Sequence, residues 1–418
     1  MKCALEGGEI RIRNFPKMSP PQIAERPLLF LLAAVQFTHL MDFMVMMPLG
    51  PQLMRLFEIA PDQFSLLVAV YTFSAAIAGV AGALFVDRFD RRTALLFTYG
   101  GFILGTLACA LAPGYHSLLV ARAISGAFGG VAGSLVLTII GDVVPPERRG
   151  RAIGVVMAAF SLASVVGVPV GLWLAAQWSW HAPFLMIVGT GLMVWAAVWG
   201  VLPRMRAHML AADAPAVKVL AGVKELLSNR NSRTALGFMM MMVFGHFILI
   251  PFLSPSLVSN AGLMESELFW FYLAGGIASL FSAPLIGRMA DRFGKKWMFA
   301  VTIVCGAVPV YFIANLGPTS LPIIIILAAV FFMFAGGRFV PGQAIITGSV
   351  PPRLRGSFMS LNNSVRDFAA GAASLIGGQI IVKDLVTGKL LHLPVLGWIA
   401  ITVSLLSMVL MSRVKPVS

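Results

Sequence analysis

The chain has 418 residues, 58% of them apolar and only 11% charged, with a mean hydropathy of +0.88. Water-soluble domains carry about 45 to 50% apolar and about 25% charged residues, so a soluble enzyme is excluded and lipid is the solvent for most of the chain. The balance of 31 Lys and Arg against 17 Asp and Glu gives +14; it would suggest nucleic acid only if the charges clustered on an exposed domain, and the three widely spaced cysteines (Cys3, Cys109, Cys305) fit neither a disulfide framework nor a metal site.

Residues 1–26 hold charges and prolines but no apolar stretch, which marks a polar N-terminal tail and not a cleavable signal. Beyond it, a helix of about 20 mostly apolar residues spans roughly 30 Å of hydrocarbon, and in lipid only helices or closed barrels satisfy the backbone. The apolar runs are continuous, so they are read as helices. Twelve follow: Pro27 to Leu49, Phe64 to Val86, Thr93 to Ala112, Ser117 to Gly141, Gly150 to Gln177, His181 to Leu202, Thr234 to Val258, Leu268 to Gly287, Trp297 to Leu316, Leu321 to Ser349, Gly356 to Val382 and Leu393 to Met411. The longest polar stretch between spans, residues 203–233, divides the chain into two sets of six helices, 27–202 and 234–412, with a short tail at 413–418. Of the 31 basic residues, 25 fall on the side of the two termini and only Arg55, Lys383 and Lys389 on the other. The positive-inside rule therefore puts both termini in the cytoplasm.

The two halves repeat one plan. Val144, Pro145, Pro146 before Arg148, Arg149, Gly150 recurs as Val350, Pro351, Pro352 before Arg353, Arg355, Gly356, an offset of 206. Asp87, Arg88, Phe89 recurs as Asp291, Arg292, Phe293 at 204, and His39 with Pro48 recurs as His246 with Pro255 at 207. Two related bundles with a site near the midplane is the plan of secondary transporters.

Gly287 through Asp291, Arg292, Phe293, Gly294, Lys295 and Lys296 resembles the loop signature of the major facilitator superfamily. The first-half copy, Asp87, Arg88, Asp90, Arg91 and Arg92, is similar, with Ala83 and Asp90 where the family favours glycine. Arg122 with Gly126 resembles the family's second motif, and Gly167, Pro169 and Gly171 resemble the antiporter motif of its proton-coupled drug exporters, without its preceding glycine. The resemblance covers the whole chain. It implies an all-α membrane protein of twelve helices in two pseudo-symmetric bundles that work by alternating access.

Each remaining feature has a functional reading. Glycines at 167 and 171 allow close helix approach and Pro169 permits a bend; the resemblance makes this segment the outer seal of an exchanger, where generic glycine packing is the plainer alternative. The acidic residues Asp87 and Asp291 at helix ends, with Arg88, Arg91, Arg92, Arg292, Lys295 and Lys296 beside them, form an expected inner gate whose contacts break as the halves rock. Charges inside the spans are costly unless paired or hydrated. By a rise of about 1.5 Å per residue, Asp42 lies roughly 22 Å above the inner edge and Arg122 at about the same height, so they can pair if the first and fourth helices are neighbours, as the resemblance implies. Arg338 and Asp367, at roughly 20 and 17 Å, suggest a second pair, with Arg366 beside it.

Desolvation favours the protonated form of a carboxyl and a guanidinium favours the ionised form, so a small rearrangement can switch a buried pair. Asp42 is thus the expected proton-coupling group, Arg122 its partner, and His39, three residues away on the same face, an assistant. Gln36, His39, Tyr71, His246, Asn362, Asn363, Arg338, Arg366 and Asp367 are the candidate lining of a substrate cavity, and the Met239 to Met242 run is an adaptable apolar surface. No nucleotide loop or metal cluster appears. The spacing of Asp87 and Asp90 suits a magnesium-diphosphate enzyme, but no second such pair occurs, so the expectation is a transporter and not an enzyme, without cofactor. Its expected partners are lipid, protons and a small molecule; it acts as a monomer in a bacterial inner membrane and exports a drug-like compound or metabolite against protons. Import or exchange of a small organic anion or sugar is the alternative.

Overall fold

The computed structural model describes residues 25–206, 224–351 and 354–417, without the side chains of Ala83, Leu84, Asp87, Pro146 and Glu147. Most of the expected N-terminal tail, the middle of the 203–233 loop and the Asp87 carboxylate of the expected gate lie outside the described residues.

Every predicted span holds a helix. These are α1 (Glu25–Val45, continued by Gly50–Leu56), α2 (Pro61–Phe85), α3 (Arg91–Ala110), α4 (Tyr115–Val143), α5 (Pro146–Leu162, then Val168–Gln177) and α6 (His181–Val201). The second set is α7 (Arg230–Phe247, then Ile250–Ser259), α8 (Leu268–Phe293), α9 (Lys295–Ala314), α10 (Leu321–Gly337, then Phe339–Thr347), α11 (Arg355–Ile380) and α12 (Leu393–Arg413). Among the described residues, 11 of these are long and apolar enough to cross a membrane on those grounds alone. The twelfth, α11, is 26 residues long and carries Asn362, Asn363, Arg366 and Asp367, which lower its hydropathy without shortening it. A two-stranded hairpin, β1 (Val382–Lys383) and β2 (Leu390–Leu391), links α11 to α12.

Besides α1, which is interrupted between Val45 and Gly50, three helices break, each where a proline removes the donor for the carbonyl four residues earlier. Pro251 leaves Phe247 without its N–H, and the first part of α7 ends at Phe247. Pro341 does the same to Gly337, the last residue of the first part of α10. Pro169 faces Val165, and there the chain widens into a π-helical turn over Ala163–Gly167, the usual way to absorb a lost bond inside a helix.

One expectation needs correcting. The segment from Gly287 to Phe293 is not a loop: α8 continues through Arg288, Asp291 and Arg292 and stops at Gly294, whose φ of +100° lies in the region glycine tolerates best. Hydropathy registers only the part of a helix in hydrocarbon, and this one extends beyond it.

Helices α1 to α6 pack into one bundle and α7 to α12 into a second. The bundles meet along α2 against α11 and α8 against α5, which are equivalent pairs under the repeat. Close approach there requires missing side chains: a Cβ on Gly276 of α8 would sit 2.7 Å from the Val165 Cα of α5, and one on Gly378 of α11 would strike Ser65 of α2. The Ser374 hydroxyl donates to the Ser65 carbonyl at 3.2 Å, and Phe73 meets Phe368 with ring centroids 5.4 Å apart. At the end opposite the termini, Arg55 after α1 forms an ion pair with Glu265 before α8.

These contacts crowd toward the side away from the termini. One continuous apolar core runs from the first bundle into the far ends of α7, α8, α10 and α12, through residues such as Phe252, Phe271, Phe331 and Leu396. On the terminal side the second bundle keeps separate cores, around Phe299 and around Ile286. The two bundles are therefore joined on the far side and independent on the terminal side. With native cysteines removed, cysteines placed at 55 and 265 are expected to crosslink under mild oxidation and hold the halves together after proteolytic cleavage of the 203–233 loop. Halves that separate on a denaturing gel would show that the far side is not closed in this way.

Candidate functional site

Helix α1 brings three polar groups to the bundle interior at 39, 42 and 38. Asp42 is completely buried, as is Arg122 of α4. The Arg122 Nη1 donates to Asp42 Oδ2 at 2.8 Å and lies 3.3 Å from the Asp42 carbonyl oxygen. The Thr106 hydroxyl of α3 donates to the other carboxylate oxygen at 3.2 Å. The equal heights inferred from the helix rise thus correspond to a direct ion pair.

Arg122 is incompletely satisfied. Its Nε and Nη2 are buried and meet no acceptor among the described residues. The guanidinium instead lies over the Tyr71 ring of α2, 4.1 Å from its centre, a contact in which the ring face attracts the cation. Tyr71 turns its hydroxyl to the His39 Nδ1 at 3.0 Å. A chain of contacts therefore runs Thr106, Asp42, Arg122, Tyr71, His39. At its His39 end the imidazole meets the Phe102 ring of α3 edge-on, with centroids 5.9 Å apart, and a Cβ on Gly129 of α4 would lie 2.7 Å from its Nδ1. On the other side of Tyr71, Phe43 of α1 stacks on its ring and packs on Phe247 of α7, with centroids 5.7 Å apart in each case.

The second bundle differs from expectation. Arg338 and Asp367 do not pair. The Asp367 carboxylate is taken by its neighbour Arg366, Nε to Oδ1 at 2.9 Å, because adjacent residues on α11 reach each other without crossing to α10. Arg338 turns away to the Ser404 hydroxyl of α12, 3.2 Å from Nη1. His246 sits among rings, stacked on Phe331 and edge-on to Phe247 and Phe339. Asn362 is fully buried with both amide atoms unpartnered among the described residues, and Gln36 Oε1 shares that condition. Asn363 is half-buried beside it on α11.

The antiporter-like glycines face their own bundle. A Cβ on Gly167 would lie 3.2 Å from the Met41 sulfur, and one on Gly171 would lie 2.9 Å from Val45. This segment of α5 therefore packs on α1 one residue from Asp42, while its contact with α8 runs through Ser164 and Val165.

The contacts of the gate residues that are seen lie within a bundle. Arg91 Nε donates to Asp142 Oδ2 of α4 at 2.8 Å, and Arg92 donates to the Trp199 carbonyl of α6. Asp90 caps α3 by accepting from the Thr93 N–H at 3.2 Å. Arg88 and Arg292 lie over Phe85 and Phe293. Lys296 donates to the Ser412 and Val414 carbonyls at 2.9 and 2.7 Å, tying α9 to the end of α12. Asp291 and Lys295 are exposed. Such ties are compatible with bundles that have separated on this side. Sequence reasoning missed Thr106 and Asp142: a single threonine in an apolar run carries no signal, whereas an aspartate at the end of a span was legible as a partner for the arginines.

Known proteins add the following. The model of the Major Facilitator Superfamily matches residues 32–279 and 235–418. The chain is 25% identical over 341 residues to an uncharacterized MFS-type transporter of Bacillus subtilis, covering 81% of this chain and 85% of that one. It is 23% identical over 370 residues to a gallate transporter of Pseudomonas putida, covering 81% and 82%. It is 28% identical over 231 residues to a chloramphenicol efflux pump of Mycobacterium tuberculosis, covering 55% and 54%. Among solved structures, a D-xylose-proton symporter superposes with a TM-score of 0.71 at 17% identity, over 94% of this chain and 98% of that one.

Removing one member of a buried pair strands the other charge, at a cost of about 3 to 5 kcal/mol. Arg122→Met is expected to destabilise the protein by that order, and the double variant Asp42→Asn with Arg122→Met by distinctly less. Thermal unfolding of the purified variants checks this, and equal loss in the single and double variants would contradict the pairing.

Proposed function

We propose, for a chain that belongs to the major facilitator superfamily, that it is a proton-coupled antiporter exporting a drug-like compound or small metabolite by alternating access. It is a multi-pass membrane transporter by family, and coupling, direction and substrate are the proposed part. The reading includes a bacterial inner membrane, cytoplasmic termini and action as a monomer. With that orientation, closure on the far side is an inward-facing state.

Asp42 carries the reading. It is a fully buried carboxylate held by one guanidinium and one hydroxyl. A proton taken up there cancels the charge that fixes Arg122. The guanidinium already rests on Tyr71 with two nitrogens unpartnered, so its release is transmitted to Tyr71 and through the stacked Phe43 ring to Phe247 of α7. Met41 and Val45, flanking Asp42 in α1, bear on Gly167 and Gly171 of α5, and α5 in turn bears on α8. Protonation at one carboxylate therefore acts on the α1–α7 contact and on the α5–α8 seam between the bundles. Coupling follows if the protonated and ionised forms favour different openings, because a ligand shifts an equilibrium only by its differential affinity for the two states. The chloramphenicol efflux relative supports export.

Import of a small organic anion is the second reading, favoured by Arg338, which lacks a carboxylate partner among the described residues. The gallate transporter among the relatives points the same way.

Reconstitution into liposomes with an imposed pH gradient separates the two. The first reading expects an amphenicol-like neutral compound to move against the direction of proton flow. Movement of an aromatic carboxylate together with protons would replace it by the second. In either case Asp42→Asn is expected to abolish uphill transport and spare downhill exchange; unchanged coupling in that variant would overturn the role of Asp42.

A further inference from the structure

A guanidinium cannot shed its proton in a protein, so an arginine inside hydrocarbon needs a counter-charge or water. Arg122 has Asp42 and Arg366 has Asp367. Arg338, only 7% exposed, has the Ser404 hydroxyl and no carboxylate, and its Nε meets no acceptor among the described residues.

Beside it is a void of about 20 Å³ lined by residues of α7, α9, α10 and α12. A void of that size holds one water-sized occupant. Its polar lining is Arg338, His246 and Thr302, and the Thr302 hydroxyl already donates to the Phe299 carbonyl at 2.7 Å. The Ser404 hydroxyl accepts from Arg338 and so has its own hydrogen free. Space for the Arg338–Ser404 contact depends on Gly245, where a Cβ would lie 2.7 Å from the Ser404 oxygen. A cation is repelled by the guanidinium, and an organic carboxylate is larger than the void.

The repeat sharpens the point. At the offset of 207 that relates His39 to His246, the counterpart of Asp42 is Leu249, and Leu249 lines this same void. Where the first bundle has a covalently attached carboxylate, the second has an apolar side chain facing a buried cation.

We propose that the void beside Arg338 binds a small monovalent anion of halide size, held by the Arg338 guanidinium and the His246 ring. The anion supplies to the second bundle the counter-charge that Asp42 supplies to the first, in a removable form. The inference does not depend on the direction or substrate of transport.

The test is thermal unfolding of the purified full chain in sodium chloride, bromide or gluconate at equal ionic strength, with radiolabelled chloride binding measured in parallel. Chloride and bromide are expected to raise the unfolding midpoint over gluconate by about 2 °C at a tenfold excess over the dissociation constant, with about one chloride bound per chain. Arg338→Gln is expected to abolish both effects. Should that variant not fold, Leu249→Phe enlarges another lining side chain without altering charge and is expected to fill the void and abolish chloride binding as well. Equal midpoints in chloride and gluconate with no bound chloride would mean that the void takes water only and would overturn the proposal. So would halide binding that survives both substitutions.

Discussion

The constraint behind this structure is the cost of charge in a low-dielectric interior. Most of the chain answers it by exclusion: only Asp42, Arg122, Arg338, Arg366 and Asp367 lie deep within the spans, Arg151 falling in the first turn of its own. Each survivor is tied down by a particular neighbour. Asp42 and Arg122 bind each other, and Thr106 and the Tyr71 ring complete the enclosure. Because the pair bridges α1 and α4 while Thr106 belongs to α3 and Tyr71 to α2, four of the six helices of the first bundle are held by one charge pair. A change in its charge cannot remain local.

The second requirement is that such a change reach the seam between bundles. Three helices, α5, α7 and α10, break four residues before a proline, so each is two rigid segments joined at a soft point. The seam itself is built on glycines and small hydroxyls, Gly276 against α5 and Gly378 and Ser374 against α2. Close backbone packing of this kind fixes geometry without long side chains that would need rearranging. It gives two surfaces that can pivot on each other, whereas interlocked large side chains would resist. The separate apolar cores on the terminal side leave the second bundle free to move as a unit.

Much of this was legible in the sequence, for physical reasons. Twelve apolar runs give twelve helices because hydrocarbon leaves the backbone no alternative. The Asp42–Arg122 pair was legible because helical rise converts residue number into depth and the family resemblance makes the first and fourth helices neighbours. The same arithmetic suggested Arg338 with Asp367 and was wrong, because equal depth does not fix direction around a helix and Arg366 was nearer. The extension of α8 through Asp291 and Arg292 escaped notice because hydropathy stops at the edge of the lipid. Thr106 was invisible, since one threonine in an apolar run is unremarkable until its neighbour is known. The hairpin of β1 and β2 has no sequence signal of its own, its pairing being fixed partly by Asn260 after the distant α7, which bonds both the N–H and the carbonyl of Leu390.

The repeat and its violations together suggest how labour is divided. A duplicated six-helix unit begins with equivalent residues in both halves, and His39 and His246 still mark equivalent depths. Yet the first half buries one balanced pair, whereas the second has, besides Arg366 with Asp367, a buried cation that meets no carboxylate among the described residues. A balanced pair can be discharged by a single proton, so the first bundle is suited to sense protons. A cation without such a partner is open to water or to a counter-ion from outside the chain, and on the proposed reading an anion fills that place in the second bundle. If both bundles carried the same group, the two sides of the seam would respond to the same signal and no difference between them could drive a rocking motion. Asymmetry in charge within symmetry of backbone gives the two halves different equilibria on one shared hinge.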